Sequence, residues 1–296
     1  MFRTVLAVTI SADDPSAAAH AYTQTLGYQV EEESVVSSET ANVWDTPDMV
    51  GRAVITLTPE SGADFRLRFV ESKPLEGYRP MRTRGWNAVE FLVQSPDDMA
   101  ERLRDSAFSI IGEPRDLSAD GHVRAMQAIG PAGEIIYLTR IRGARVQVYG
   151  AAKTMVDRAF IVVVGSDDFG SLVDFYGHRF RHTLQTFGQM KIDVASKALS
   201  VSDDTLYDVK LARLGNHFSI ELDGYPVTIV ERPRHAGALP PGVAMVTIGV
   251  QSLDALGAQW RGEPASISGG FYKNARTGVM TGPAGEWLEC LEVSSY

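Results

Sequence analysis

Apolar runs that lead into segments of helical period occur four times along the chain. Residues 5–10 precede 14–26, and residues 88–93 precede 96–103. Residues 159–164 precede 168–176, and residues 243–250 precede 253–260. Short apolar runs bounded by turn formers read as strands. Apolar positions four apart, such as Met99, Leu103 and Ala107, read as one helix face. Ser11, Ser95, Ser166 and Ser252 stand where an N-cap would, because a side-chain oxygen there accepts from a free helix N–H.

After the helices come β-rich runs broken by Gly, Pro and Asn. These are residues 53–58 and 65–70 in the first half, and 217–222 and 226–230 in the second. Residues 134–139 and 286–293 close the two halves after Gly-Pro-Ala-Gly turns. The unit is β-α-β-β-β, four times over. It predicts an α+β fold with helices on one face of curved, antiparallel-rich sheets.

The chain also repeats in its residues. Gly130-Pro131-Ala132-Gly133-Glu134 recurs as Gly282-Pro283-Ala284-Gly285-Glu286, and Val93-Gln94-Ser95 recurs as Val250-Gln251-Ser252. Ala12-Asp13-Asp14 with Tyr22 recurs as Ser166-Asp167-Asp168 with Tyr176, and Phe69-Val70-Glu71 recurs as Ile229-Val230-Glu231. The offsets are 152 (130 to 282), 157 (93 to 250), 154 (12 to 166) and 160 (69 to 229). Four matches in one order at nearly one offset point to a duplication. The division predicts an N-terminal domain over 1–145 and a C-terminal domain over 154–296, each of two modules.

Composition narrows the partners. The 296 residues are 44% hydrophobic and 22% charged, as in ordinary globular proteins. A net charge of -9 argues against nucleic acid or an anionic membrane, since both need clustered Lys and Arg. A small-molecule substrate or ligand is the expected partner, and a homodimer is compatible with this reading. A lone cysteine, Cys290, allows no internal disulfide and reads as a strand core thiol. The apolar N-terminus runs straight into Asp13 and Asp14, so it reads as a strand, and no run of about 18 apolar residues suggests a membrane span. A cytoplasmic location is the expectation.

The order of elements and the local motifs resemble the vicinal oxygen chelate superfamily, which includes glyoxalase I, bleomycin-resistance proteins and extradiol dioxygenases. Its opening pattern is matched by Asp14, Ala21-Tyr22 and Leu26-Gly27-Tyr28, and more loosely by Asp168 with Phe175-Tyr176-Gly177. Its closing pattern is matched by Gly282-Pro283-Ala284-Gly285 and Glu289, with Gly in place of Asp, while Tyr137 stands where the first half would carry its Glu. The resemblance covers nearly the whole chain. It implies two tandem cup-shaped domains, and the two-domain layout is similar to that of the extradiol dioxygenases.

The resemblance also implies metal-binding histidines on the first strands of the modules. Residues 5–10, 87–93, 158–164 and 243–248 contain none. Of that ligand set Glu289 remains, so no tightly bound catalytic metal and no other cofactor is expected. Among the six histidines, His178 and His182 stand four apart, a spacing that suits a ligand pair on a helix, but Gly177 and the aromatic flanks read as a helix end; His20 reads as a packing residue, and His122 and His235 as loop residues. His217 opens a strand and is a candidate to face the cup.

Acid–base chemistry without a metal needs a carboxylate or His to move a proton, and a cation or hydroxyl to hold an oxyanion. Glu289, His217 and Tyr272 are the catalytic candidates; Arg276, Glu231 and Met245 are the substrate-binding ones. Glu90, in a buried strand, demands a partner, and Arg66, Arg68 or Arg124 would make it a structural ion pair. The first expectation is a metal-independent lyase or isomerase acting on a small aromatic or carbonyl compound in the C-terminal cup. The alternatives are a protein that only binds and sequesters such a molecule, or a dioxygenase with ligands drawn from elsewhere.

Overall fold

The computed structural model describes residues 2–293. One unit recurs four times. The first module holds β1 (Phe2–Ala12), α1 (Pro15–Leu26), β2 (Gln29–Val35), α2 (Ser38–Trp44), β3 (Ala53–Thr58) and β4 (Arg66–Glu71). The second holds β5 (Gly85–Val93), α3 (Pro96–Arg104), β6 (Ser109–Asp116), β7 (Val123–Ile129) and β8 (Ile135–Ile141), and α4 (Val146–Tyr149) leads out of it. The third holds β9 (Val156–Ser166), α5 (Phe169–Val173), β10 (Leu184–Lys191), α6 (Asp193–Leu199), β11 (Leu206–Arg213) and β12 (Ser219–Gly224). The fourth holds β13 (Val243–Val250), β14 (Ala265–Ser266), β15 (Arg276–Thr281) and β16 (Trp287–Glu292).

Local chemistry explains most boundaries. Asp14 accepts from the Ala17 N–H to start α1, Pro15 fits the first turn, and Gly27 ends the helix at a φ of 75°. Ser95 caps α3 as expected. In the first and third modules the caps are Asp14 and Asp168, not Ser11 and Ser166. The expected helix over 253–260 shrinks to a single turn, Asp254–Leu256, because Gly257 takes a left-handed φ of 54° and stops it. The expected strand over 226–230 is absent. Pro226 has no N–H for a ladder, and only Val230 bridges, to Thr83. The repeat that joined Glu71 to Glu231 is therefore not a structural one; β12 is the counterpart of β4.

The strands form two eight-stranded, curled sheets, in the orders β14-β15-β16-β13-β1-β4-β3-β2 and β10-β11-β12-β9-β5-β8-β7-β6. The first sheet joins modules one and four, and the second joins modules two and three. The two halves of the sequence mark the duplication, and each sheet takes one module from each half. The first strands meet antiparallel at the centre, with Val8 opposite Val246 and Val89 opposite Val162. Each first strand also pairs in parallel with the last strand of its own module, as Thr9 does with Arg68. These central strands are buried on both faces, which is why they read as continuous apolar runs.

Alternation along the strands divides the interior in three. Val8, Phe91, Val162 and Leu288 point from both sheets into one core shared with the helices. The opposite faces line the two cups, with Trp44, Met245 and Trp287 in the first and Tyr137, Phe160 and Val209 in the second. The Gly-Pro-Ala-Gly-Glu repeat has one task in both places. Glu134 and Glu286 fold back so that each carboxylate accepts from a turn N–H, of Ala132 and Ala284. A Cβ on Gly130 or Gly282 would overlap that carboxylate, which accounts for Gly where the superfamily pattern has Asp.

Candidate functional site

In the first cup four side chains converge from first and last strands: Thr9 and Arg68 of module one, Thr247 and Glu289 of module four. Arg68 and Glu289 form an ion pair at 2.6 Å with side-chain exposures of 3% and 0%. Every acceptor position of Glu289 is taken. One oxygen accepts from Trp44 Nε1 at 2.7 Å and the Tyr272 hydroxyl at 2.8 Å. The other accepts from Arg68 and from the Thr247 hydroxyl at 2.6 Å. Arg68 also donates to Thr9 and Tyr272. The rings of Trp44, Phe271 and Tyr272 surround its guanidinium at 5.1–5.7 Å.

Burial pushes the Glu289 carboxyl up, but Arg68 and the three neutral donors outweigh it and hold it below its ordinary value. The group is ionised, saturated and sealed. The nearby cavity, of about 190 Å³, touches Arg68, Trp44 and Tyr272 and does not reach Glu289. This is the geometry of a closed ion pair, and Glu289 would have to break it to act as a base.

The other candidates scatter. Tyr272 and Met245 lie beside Glu289, in or against one cluster. His217 sits at a left-handed φ of 62° in the turn before β12, exposed, with Nδ1 2.9 Å from the Val148 carbonyl oxygen. It belongs to the third module and is not in this cup. Arg276 pairs with Asp254 and Glu292 at the partly exposed start of β15, and Glu231 is exposed.

The second cup is open. Its cavity, of about 350 Å³, is walled by Tyr137, Tyr149, Phe160 and Val209, and Glu90 and Glu221 also line it. Leu117, Phe187 and Met190 line it as well, and they are among the few large apolar side chains left exposed. Three cations at the lining are each neutralised: Arg115 by Asp193, Arg145 by Asp120, Lys191 by Asp204.

Glu90 takes one hydrogen bond, from the Thr139 hydroxyl. The expected arginine partners are all engaged elsewhere: Arg66 with Glu31 and Asp64, Arg68 with Glu289, Arg124 with Asp97 and Asp116. Burial, reinforced by Glu221, pushes the Glu90 carboxyl up to about 8. Burial and then Asp223 push Glu221 well up, and burial pushes Asp223 up to about 7. At neutral pH burial keeps Glu90 and Glu221 largely protonated.

Glu221 and Asp223 are not among the residues that sequence reasoning singles out. The matched register shows why they matter: Arg68 pairs with Thr9 as Glu221 pairs with Val163. The signal is an offset of 153 (68 to 221), close to the 154 between the first strands, in place of the accidental 160 match.

A vicinal-oxygen-chelate fold implies a metal at the centre of a cup, and the donors can be tested for it. In the first cup the Arg68 guanidinium fills the centre, bonded to Thr9, Thr247 and Glu289. In the second the equivalent strand positions carry Glu90, Tyr137, Val163 and Glu221, with no imidazole. Among the described residues no group of three or more His, Cys, Asp or Glu is placed to hold a metal. Neither cup fits a catalytic metal centre.

Compared by sequence, the chain matches no protein-family model and no curated protein. Compared by structure, it is similar to glyoxalase I from Zea mays, at 15% identity and a TM-score of 0.64, over 98% of this chain and 92% of that one. A point variant of the same enzyme gives a TM-score of 0.65 over 98% and 94%, also at 15% identity. A presumed dioxygenase from Bacillus subtilis subsp. subtilis str. 168 gives 0.61 at 9% identity, over 98% and 85%. Nearly the whole chain is thus laid out as in the two-cup glyoxalase I structures: its fold is the tandem vicinal-oxygen-chelate fold.

Proposed function

We propose that the protein binds a small, largely apolar molecule in the second cup, with the polar group of that molecule held against the carboxyls of Glu90 and Glu221. One observation carries this reading: an apolar cavity of about 350 Å³ with two carboxyls at its wall. Ligand sites combine such walls with a few convergent polar groups, and volumes of roughly 300–1,000 Å³ are usual for them. The neutral dye N-phenylnaphthylamine tests it by fluorescence titration. Val209→Phe, which narrows the second cup, should weaken binding about tenfold, while Val54→Phe in the first cup should leave it unchanged. Equal effects of the two substitutions would reject the second cup as the site.

A second reading, metal-independent acid–base catalysis, has its own support. Glu90, pushed up to about 8, can exchange a proton near neutral pH, which is what a general acid or base requires. A bound carbonyl compound would receive the Glu90 proton on oxygen while the proton of the adjacent carbon passes to the Glu90 carboxylate so formed, which leaves the enol and restores the protonated acid. Deuterium exchange at that carbon of an aryl ketone, followed by NMR in heavy water, separates the readings. An enzyme accelerates it and Glu90→Gln abolishes the acceleration; a sequestering protein shows none.

A further inference from the structure

The two cups answer the same design differently. In the first, a cation lies against a carboxylate inside a box of aromatic rings: Arg68 over Glu289, with Trp44, Phe271 and Tyr272 around the guanidinium. In the second, the position of Arg68 is taken by Glu221. The carboxyls are there, since Glu90 and Glu221 line the cavity and Asp223 follows two residues later on the same face of β12. The rings are there too, in Tyr137, Tyr149 and Phe160. The lining cations Arg115, Arg145 and Lys191 pair with Asp193, Asp120 and Asp204, and not with these acids. Among the described residues no hydrogen bond or ion pair joins a Lys, Arg or His to any of the three acids. Arg213 lies over Tyr149 and bonds Gln185.

Asp223 adds an independent sign. It is 2% exposed, and its Oδ1 has no hydrogen-bond partner. A buried acceptor left unpaired costs about 1–3 kcal/mol, so it persists where something else rewards it. Building on the second cup as the binding site, we propose that its ligand is a monocation, a protonated amine on an apolar body. The ammonium sits against Glu90 and Glu221, which line the cavity, with Asp223 beside Glu221 behind them, and the apolar body lies between the aromatic walls. The ligand takes the part that Arg68 plays in the first cup. Ammonium groups are held by carboxylates and by the faces of aromatic rings together, which is the combination this cavity offers.

Three probes with one apolar body test the charge. Phenylbutylamine, phenylbutanol and phenylbutyrate are titrated calorimetrically into the intact protein at neutral pH. The amine should bind at least about tenfold more tightly than the alcohol, and the carboxylate most weakly. Binding of the amine should also release protons, read as a dependence of the heat on the buffer, because the acids ionise to receive it. In the Glu90→Gln/Glu221→Gln double variant the preference for the amine should vanish. The wild-type comparison does not depend on that variant folding. If the alcohol binds as well as the amine, the cationic ligand is wrong and the second cup still stands as an apolar site. If none of the three binds more tightly than about 1 mM, the cup itself is rejected as the site.

Discussion

The Tyr22 hydroxyl donates to the Glu134 carboxylate at 2.6 Å, and the Tyr176 hydroxyl donates to Glu286 at 2.8 Å in the same way. Each pair ties the helical segment of one module to the closing turn of the next, the first to the second and the third to the fourth. The sheets tie the modules differently, one to four and two to three. The molecule is thus a closed ring of four units, joined alternately by strand ladders and by buried Tyr–Glu bonds. Two of the repeats that reveal the duplication, the Asp-Asp with its Tyr and the Gly-Pro-Ala-Gly-Glu, are the two ends of these bonds.

Removing either hydroxyl strands a buried carboxyl. Tyr22→Phe and Tyr176→Phe should each lower the unfolding free energy by about 1–3 kcal/mol. The pairs share no partner, so the double variant should lose close to the sum. Urea denaturation of the four proteins checks this. A strongly non-additive double variant would mean that the two halves do not carry independent anchors.

The same carboxyls set a pH dependence. Burial pushes Glu134 and Glu286 each up to about 7, against the opposing pull of the Tyr hydroxyls and turn N–H groups. A folded pKa above the unfolded value means that the native state holds more protons. That contribution is complete below about 4.5 and is lost as pH rises through about 7. Glu90 and Asp223 act in the same direction, while Glu289, held low, loses its contribution only as pH falls. Each proton that the native state keeps and the unfolded chain has lost makes stability fall by roughly 1.4 kcal/mol per pH interval of one. Stability in urea should therefore decline between about pH 5 and 8 by a few kcal/mol. Glu134→Gln should flatten the decline. A profile rising across this window would contradict the assignment.

In the first cup, the Arg68–Glu289 pair should respond as a unit. Arg68→Met leaves a buried carboxylate without its cation, and Glu289→Leu leaves a buried guanidinium without its anion. Each single variant should cost about 3–5 kcal/mol, and the double variant much less than their sum. Thermal melts of the three variants measure this. Additive losses would show that the pair is not the closed unit its hydrogen bonds describe.

How far the sequence carries is clearest at particular residues. The four-module order is legible because central strands, buried on both faces, must be apolar throughout. The pairing of modules is not, since nothing local in β1 or β13 names its neighbour; it emerges from two fully apolar strands that can only be satisfied inside a sheet. Glu289 is legible as inward-facing, and its saturation is not, because Trp44 and Arg68 come from 245 and 221 residues away. Glu90 reads as half of an ion pair on the rule that buried charge needs a partner. That rule has a second solution, protonation, and the structure uses it. His217 reads as facing the cup from its place ahead of an apolar strand, but a left-handed turn points it elsewhere.

Protonation of the second cup leads to a test in which two ligands move oppositely. Below about pH 7 the acids are neutral, and the cup suits a neutral apolar guest that accepts their hydrogen bonds. As pH rises through about 7 and then 8, Asp223 and Glu90 ionise. Charges then form next to the neutral guest, and their donated hydrogen bonds disappear. The affinity for Prodan, a neutral fluorescent naphthyl ketone whose carbonyl oxygen accepts, should fall roughly tenfold per pH unit once a required proton is lost. Phenylbutylamine stays protonated until about pH 10, so its affinity should rise over the same interval as less protonated carboxyl must be ionised. Glu90→Gln/Glu221→Gln should abolish both slopes together. Fluorescence and calorimetric titrations between about pH 6 and 9 give the two curves; parallel curves, or curves unchanged by the double variant, would show that these carboxyls do not govern what the cup accepts.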